Sequence, residues 1–326
     1  MQCASPKSTY SYQWIESEFN RQNCKNIKHI NELGNEEKIK LATHRVTNVV
    51  KLQPSSNISG VKLNPFDTVD VNGKKQLKFE AHGIRSAYFT LAFILQRAIA
   101  EKIDIDPEEI EVADISRATN GLGTITLSDT QANGSGFVNH LYQNFGEYVN
   151  SILNGKSNFF NRMLDSSHRE KCQEACYDCL QVYRNMPYHG LLDWRLGITL
   201  LRLMTDEDYK AGSDGNLRYP ELEDWKSYAT MLRDTLVETA PGCEAINDCE
   251  LPVIKLTIKN GNNTSKNDIV KYIFIVHPLW ATDSSCKILA KACHQLGLKT
   301  SSENVYTLDT FNLARRLSYC IEQIML

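Results

Sequence analysis

His168-Arg-Glu-Lys-Cys172-Gln-Glu-Ala-Cys176-Tyr-Asp-Cys179-Leu-Gln-Val-Tyr183-Arg184-Asn-Met-Pro-Tyr188-His189-Gly-Leu-Leu-Asp193-Trp194-Arg195-Leu-Gly197 holds three of the chain's ten cysteines within eight residues. Thiolates this close converge readily on one soft cation, and tetrahedral zinc bound by three sulfurs and one imidazole is the common outcome. Two histidines compete for the fourth position. His168 precedes Cys172 by about one helical turn and is preferred; His189 follows Pro187 and precedes Asp193, a carboxylate able to orient its ring. Cys176-Tyr-Asp-Cys179 also has the two-residue gap of a thioredoxin-like pair, but that motif sits at a strand-to-helix turn and needs no third thiol. Structural zinc is therefore the expectation, ahead of redox chemistry or plain core thiols. A closed set of four ligands builds structure and leaves no position for activating water.

The chain has 326 residues, about two domains' worth, so zinc is not needed to hold the whole fold. Its 36 basic and 39 acidic residues leave a net charge of −3, which excludes a globally cationic coat for nucleic acid; any such contact must come from local patches. The first residues lack a basic-then-apolar leader, and no window approaches a membrane span, so a cytoplasmic protein without a membrane partner is expected. Cys286, Cys293 and Cys320 lie in apolar helical contexts and read as core thiols.

Residues 1–40 read as an irregular segment. A strand is expected within 43–53, and Asn72-Gly73 marks a hairpin between 68–71 and 76–79. Ile84, Tyr88, Leu91, Leu95 and Ala98 then recur at three and four residues, predicting a helix that ends near Ile103. Strands follow at 109–113 and 121–129. Ala132-Asn-Gly-Ser-Gly136 next leads into one helix over 137–153; the order strand, glycine turn, helix would expose N–H groups to a phosphate, although the turn lacks the Lys-Ser/Thr of a Walker A loop. Helices are expected at 191–204 and 222–238, a linker at 241–250, and strands at 252–258, 269–276 and 305–309 with helices at 284–296 and 310–325. The fold class is thus α/β, mixed α+β: a zinc-stabilised domain of helices and strands over 41–240, then a small C-terminal α/β module over 251–326.

The cysteine block, with Tyr183-Arg-Asn185 and His189-Gly-Leu-Leu-Asp-Trp194, resembles the zinc-binding domain at the C-terminus of MrfA-type superfamily 2 DNA helicases and in the DrmB-like subunit of the DISARM antiphage system. Leu127–Gly136 and Ile105–Ile110 are similar to the blocks that precede the cysteines there, and His277-Pro-Leu-Trp280 with Asp309–Arg316 is similar to the tail of the DrmB-like proteins. The resemblance spans roughly 80–326. It implies a zinc ion held by Cys172, Cys176 and Cys179 with His168 or another group, since relatives usually offer four cysteines. It also implies a superfamily 2 helicase or another defence-system subunit as partner, and DNA. The chain carries no Walker A loop, no Asp-Glu-x-His box and no helicase arginine motif, so a non-catalytic accessory role is expected. Phosphate contacts are expected from Arg184, Arg195, Arg315 and Arg316, with Tyr183 and Tyr188 as stacking platforms. An enzyme reading competes: His277 at a strand end and Asp309 could serve a nuclease or phosphodiesterase in the C-terminal module, although no paired-carboxylate or His-Lys-Asp signature accompanies them.

Overall fold

The helix predicted from Ile84, Tyr88 and Leu91 forms as α1 (Ala81–Ile103) and is buried on nearly every side, Gly83, Ser86 and Thr90 included. A helix enclosed in this way can carry small polar residues only if they are bonded. Ser86 Oγ donates to the Leu191 carbonyl, and Thr90 Oγ1 accepts the Asp193 N–H at 3.0 Å, which ties α1 to the segment after the cysteines. Asp104 ends the helix in a left-handed conformation with its N–H on the Ala100 carbonyl. The computed structural model describes residues 46–259 and 268–325. The segment 1–40 and the start of the strand expected within 43–53 lie outside them.

Two sheets flank this helix in sequence. The first has the order β1 (Val49–Leu52), β5 (Gly123–Asp129), β4 (Ile110–Arg117), all antiparallel, with a register shift between Val112 and Asp114. Strand β5 lies almost against α1: a Cβ on Gly123 would come within 2.6 Å of the Tyr88 ring. The hairpin β2 (Thr68–Val71) and β3 (Lys74–Leu77) turns at Asn72 and Gly73, both at positive φ as the Asn-Gly pair predicts. The second sheet has the order β6 (Cys243–Ile246), β7 (Val253–Ile258), β8 (Ile269–Val276), β9 (Val305–Asp309), antiparallel except for the β8–β9 pair. The stretch expected as a linker thus supplies an edge strand. The class is mixed α+β.

The helix expected over 137–153 is two, α2 (Phe137–Gln143) and α3 (Phe145–Leu153). Asn144 interrupts it, its side-chain amide donating to the His140 carbonyl and competing with the backbone ladder. Helices α4 (Asn158–Leu164) and α5 (Ser166–Lys171) lead to the cysteines, and α6 (Trp194–Thr205) and α7 (Trp225–Thr239) leave them. Asp193 is the N-cap of α6, accepting the Leu196 N–H, so the helix expected from 191 begins after it. At Gly197 a Cβ would meet Ile94 and Thr90 of α1 at 2.7 Å, so glycine lets these helices touch. The C-terminal segment adds α8 (Lys287–Gln295), which joins β8 to β9, and α9 (Thr310–Arg315) and α10 (Leu317–Met325), broken at Arg316 where one helix was expected. Trp194 and Trp280 are both fully buried, as core anchors should be.

The glycine turn after β5 is already occupied by an anion of the chain itself. Ser135 and Gly136 donate their N–H groups to Asp129 Oδ2 at 2.8 and 2.7 Å, and Val138 donates to Oδ1 at 3.1 Å. The buried Asp129 carboxylate thus fills the place considered for a phosphate. Charge-assisted bonds to three N–H groups make this a strong cap. Asp129→Ala should cost about 2–3 kcal/mol in urea unfolding, with Asp129→Asn recovering part; a change under about 0.5 kcal/mol, the range of ordinary surface substitutions, would remove this role.

Candidate metal centre

Helix α5 begins at the Asp165 cap, whose carboxylate accepts the Ser167 N–H at 2.9 Å, and ends as Cys172 turns to extended backbone. The start of α6 then holds the cysteine loop from beneath. Trp194 N–H bonds the Glu174 carbonyl at 2.9 Å, Trp194 Nε1 bonds the Cys172 carbonyl at 3.1 Å, and Arg195 Nη1 donates to the Cys172 and Gln173 carbonyls at 2.8 and 3.0 Å. The loop is fixed through its backbone, which frees the side chains to converge.

Four of them do so. One donor atom from each of His168, Cys172, Cys176 and Cys179 lies within 4.8 Å of all the others. Cys172 Sγ and Cys179 Sγ are 3.9 Å apart, Cys176 Sγ and Cys179 Sγ 3.7 Å, and Cys176 Sγ and His168 Nε2 3.5 Å. A tetrahedral zinc with its usual bond lengths requires sulfur–sulfur edges of about 3.8 Å and sulfur–nitrogen edges of about 3.6 Å. A disulfide would need about 2.05 Å. The donor set therefore fits zinc. It does not fit a thioredoxin-like pair, because the loop runs between α5 and a 3-10 segment at Tyr183–Leu191, with a third thiol and an imidazole in reach.

The electrostatics favour a cation as well. His168 Nδ1 faces the Met163 carbonyl at 2.8 Å, an acceptor only, so Nδ1 carries a proton; Nε2 is turned to the sulfurs, where its hydrogen bond to Cys179 raises His168 and where a metal would take its lone pair in place of a proton. The hydrogen bond from Cys172 draws the Cys179 thiol down, helped by His168. That same hydrogen bond raises Cys172, and burial raises Cys176. The trio thus favours losing its first proton at Cys179, and zinc would draw off those that remain.

Residues 91–180 match the MrfA Zn-binding domain. No curated protein gives a match, and no solved structure does. The matched part thus runs from the middle of α1 to the residue after Cys179 and takes in all four donors. The match and the geometry agree on zinc binding.

His189, the other candidate for the fourth position, stands outside the cluster. Its Nε2 donates to the Val182 carbonyl at 3.0 Å and to Asn185 Oδ1 at 2.9 Å, and its ring meets Tyr177 edge-on at 5.7 Å. Nor does Asp193 orient it, being engaged as the α6 cap. His168→Ala should weaken zinc binding by more than the roughly 10–100-fold typical of losing an outer partner, whereas His189→Ala should keep full zinc content. Competition with a chromophoric chelator reads both; the reverse order would make His189 the ligand.

The residues expected at nucleic acid separate into two groups. Arg195 is buried: beyond the two carbonyls above, its Nη2 donates to the Arg169 carbonyl at 3.1 Å, and its guanidinium lies 4.4 Å from the Trp194 ring centroid. No face is left for a phosphate, which corrects the expectation for this residue. Arg315 pairs with Glu174 at 2.9 Å, donates to the Leu192 carbonyl and packs over Phe311. Arg184 is exposed but paired with Glu108. Tyr183 is 81% exposed, Arg316 is exposed, and Tyr188 is half-buried against Phe89 and Phe93.

His277 and Asp309 come close in the fold, since Val276 pairs with Asp309 across β8 and β9. His277 is packed between Trp225 and Trp280, and burial pushes it down to about 3, so it is neutral. Asp309 caps α9, its two oxygens accepting the Asn312 N–H at 2.9 Å and Asn312 Nδ2 at 2.7 Å. Both groups are buried and serve the fold. Among the described residues no helix is long and apolar enough to cross a membrane.

Proposed function

We propose that this chain is a non-catalytic, zinc-stabilised accessory subunit that works beside a separate superfamily 2 helicase in DNA-targeted antiphage defence, binding DNA, the helicase, or both. The observation that carries this reading is the closed His168, Cys172, Cys176, Cys179 cluster inside the part matched to the MrfA Zn-binding domain, in a sequence without ATPase motifs. With four protein donors the metal shapes a surface and does not activate water. The DrmB-like resemblance of the 277–280 and 309–316 segments supports a defence-system subunit. In the nuclease reading, His277 and Asp309 would have to act from buried positions, which disfavours it.

Co-purification of the tagged chain from its native host, with elemental analysis of the same sample, tests the proposal. One zinc per chain together with a helicase-sized partner is expected. A zinc-loaded chain that purifies alone at every salt concentration would sink the partner half of the reading; a chain without zinc would sink all of it.

A further inference from the structure

Along α1, His82, Arg85, Phe89 and Phe93 recur at intervals of three and four, which lines them up on one side of the helix over about 16 Å. Arg316, at the break between α9 and α10, reaches the head of this row: its Nη2 lies 3.5 Å from His82 Nδ1. Farther down, the Arg85 guanidinium lies 5.6 Å from the Phe89 ring centroid, and Tyr188 closes on the rings of Phe89 and Phe93 at 5.3 and 5.2 Å. The row therefore reads guanidinium, imidazole, guanidinium, aromatic.

Its charges are not balanced from within. Arg184, Arg195 and Arg315 each lie within 4 Å of a carboxylate, but Arg85 and Arg316 have no carboxylate partner among the described residues. His82 is pushed down to about 4, by burial first and then by Arg316 and Arg85, so at neutral pH it is an uncharged acceptor between two cations. Two unpaired guanidinium groups flanking a partly buried imidazole repel each other, and an anion between them would relieve that repulsion. The row continues into an aromatic ring instead of a carboxylate, which suits an anion that also carries flat apolar groups.

We propose that Arg316, His82, Arg85 and Tyr188 form a binding site for single-stranded nucleic acid, the two arginines holding backbone phosphates and Tyr188 stacking on a base. The inference deepens the DNA-binding part of the reading above and rests on it, but not on the helicase partner.

The test uses the full zinc-loaded chain alone, titrated into labelled oligothymidylate and labelled oligouridylate at several salt concentrations. The wild-type chain binds. Arg316→Gln and Arg85→Gln each lower affinity about tenfold and flatten the logarithmic salt dependence by about 0.7, the value for one lost phosphate contact on a single strand. Tyr188→Leu lowers affinity without changing the slope, and Arg184→Gln changes neither. Arg316 is exposed, so its variant keeps the fold if Arg85→Gln does not. Arginine-dependent binding to either oligomer supports the site, the tighter one naming its sugar. A wild-type chain that binds neither, an unchanged slope in Arg316→Gln, or equal competition by polyglutamate, which would reassign the row to an acidic protein surface, overturns it. None of these outcomes depends on the partner seen in co-purification.

Discussion

Cys179→Ser should abolish zinc binding and unfold the segment from Cys172 to Leu191. Of the four donors Cys179 is the hub, since its sulfur neighbours those of Cys172 and Cys176, accepts the Cys176 N–H at 3.2 Å and is where the trio favours losing its first proton. Between α5 and the 3-10 segment the backbone has no helix or strand, and beyond the carbonyls of residues 172–174, which Trp194 and Arg195 hold, side-chain convergence is what fixes its path. Structural zinc contributes on the order of 10 kcal/mol of apparent free energy in small zinc domains. Here most of the core around α1 is built from residues outside the cluster, so the loss should be local. Elemental analysis should fall from one zinc per chain to near none, limited proteolysis should newly cut between Cys172 and Leu191, and chelation of the wild-type chain should reproduce both. Cys286→Ser, at a buried thiol outside the cluster, should keep its zinc. Unchanged zinc content and melting in Cys179→Ser would mean that the cluster is an ordinary set of core thiols.

The parts of this structure that were legible in the sequence are those set by neighbours in the chain. The three- and four-residue spacing from Ile84 onward gives α1, Asn72-Gly73 gives the positive-φ hairpin turn, and the cysteine spacing gives the metal cluster, because each rests on local backbone geometry. What stayed hidden depends on which side chains and strands meet in space, which spacing alone does not fix. Asn144 looks helical until its amide takes the His140 carbonyl, and 243–246 looks like a linker until β7 pairs with it. Spacing already favours His168, one helical turn before Cys172; the bonds of His189 to Val182 and Asn185 remove the alternative. Among the arginines the difference is wholly tertiary: Arg315 finds Glu174, whereas Arg316, its neighbour, finds His82. His82 and Arg85 fall outside the apolar repeat of α1, so the spacing that predicts the helix carries no sign of the row they form.

Arg195→Met is the variant that best divides a structural arginine from a DNA-contacting one. A surface phosphate contact predicts unchanged stability with weaker DNA binding. The observed environment predicts the opposite, because one side chain serves the carbonyls of Arg169, Cys172 and Gln173 and lies 3.6 Å from Asp224. Methionine preserves much of the packing against Trp194 but leaves the Arg169 and Gln173 carbonyls without this donor, the Cys172 carbonyl with Trp194 alone, and Asp224 with Arg169 as its one remaining cation. Breaking a buried charged network in this way costs about 3–5 kcal/mol. Arg195→Lys should recover only part of it, since a single ammonium cannot reproduce the fork that spans three carbonyls. The damage should also reach the metal: the Cys172 carbonyl is held by Arg195 and Trp194, so losing one support lets the first cysteine drift, and zinc affinity should fall about tenfold, as for other outer partners of metal ligands. Urea unfolding and chelator competition on the same preparation measure both effects. If Arg195→Met keeps stability within about 1 kcal/mol and holds zinc normally while losing oligonucleotide affinity, the buried network is dispensable and the arginine belongs to the binding surface after all.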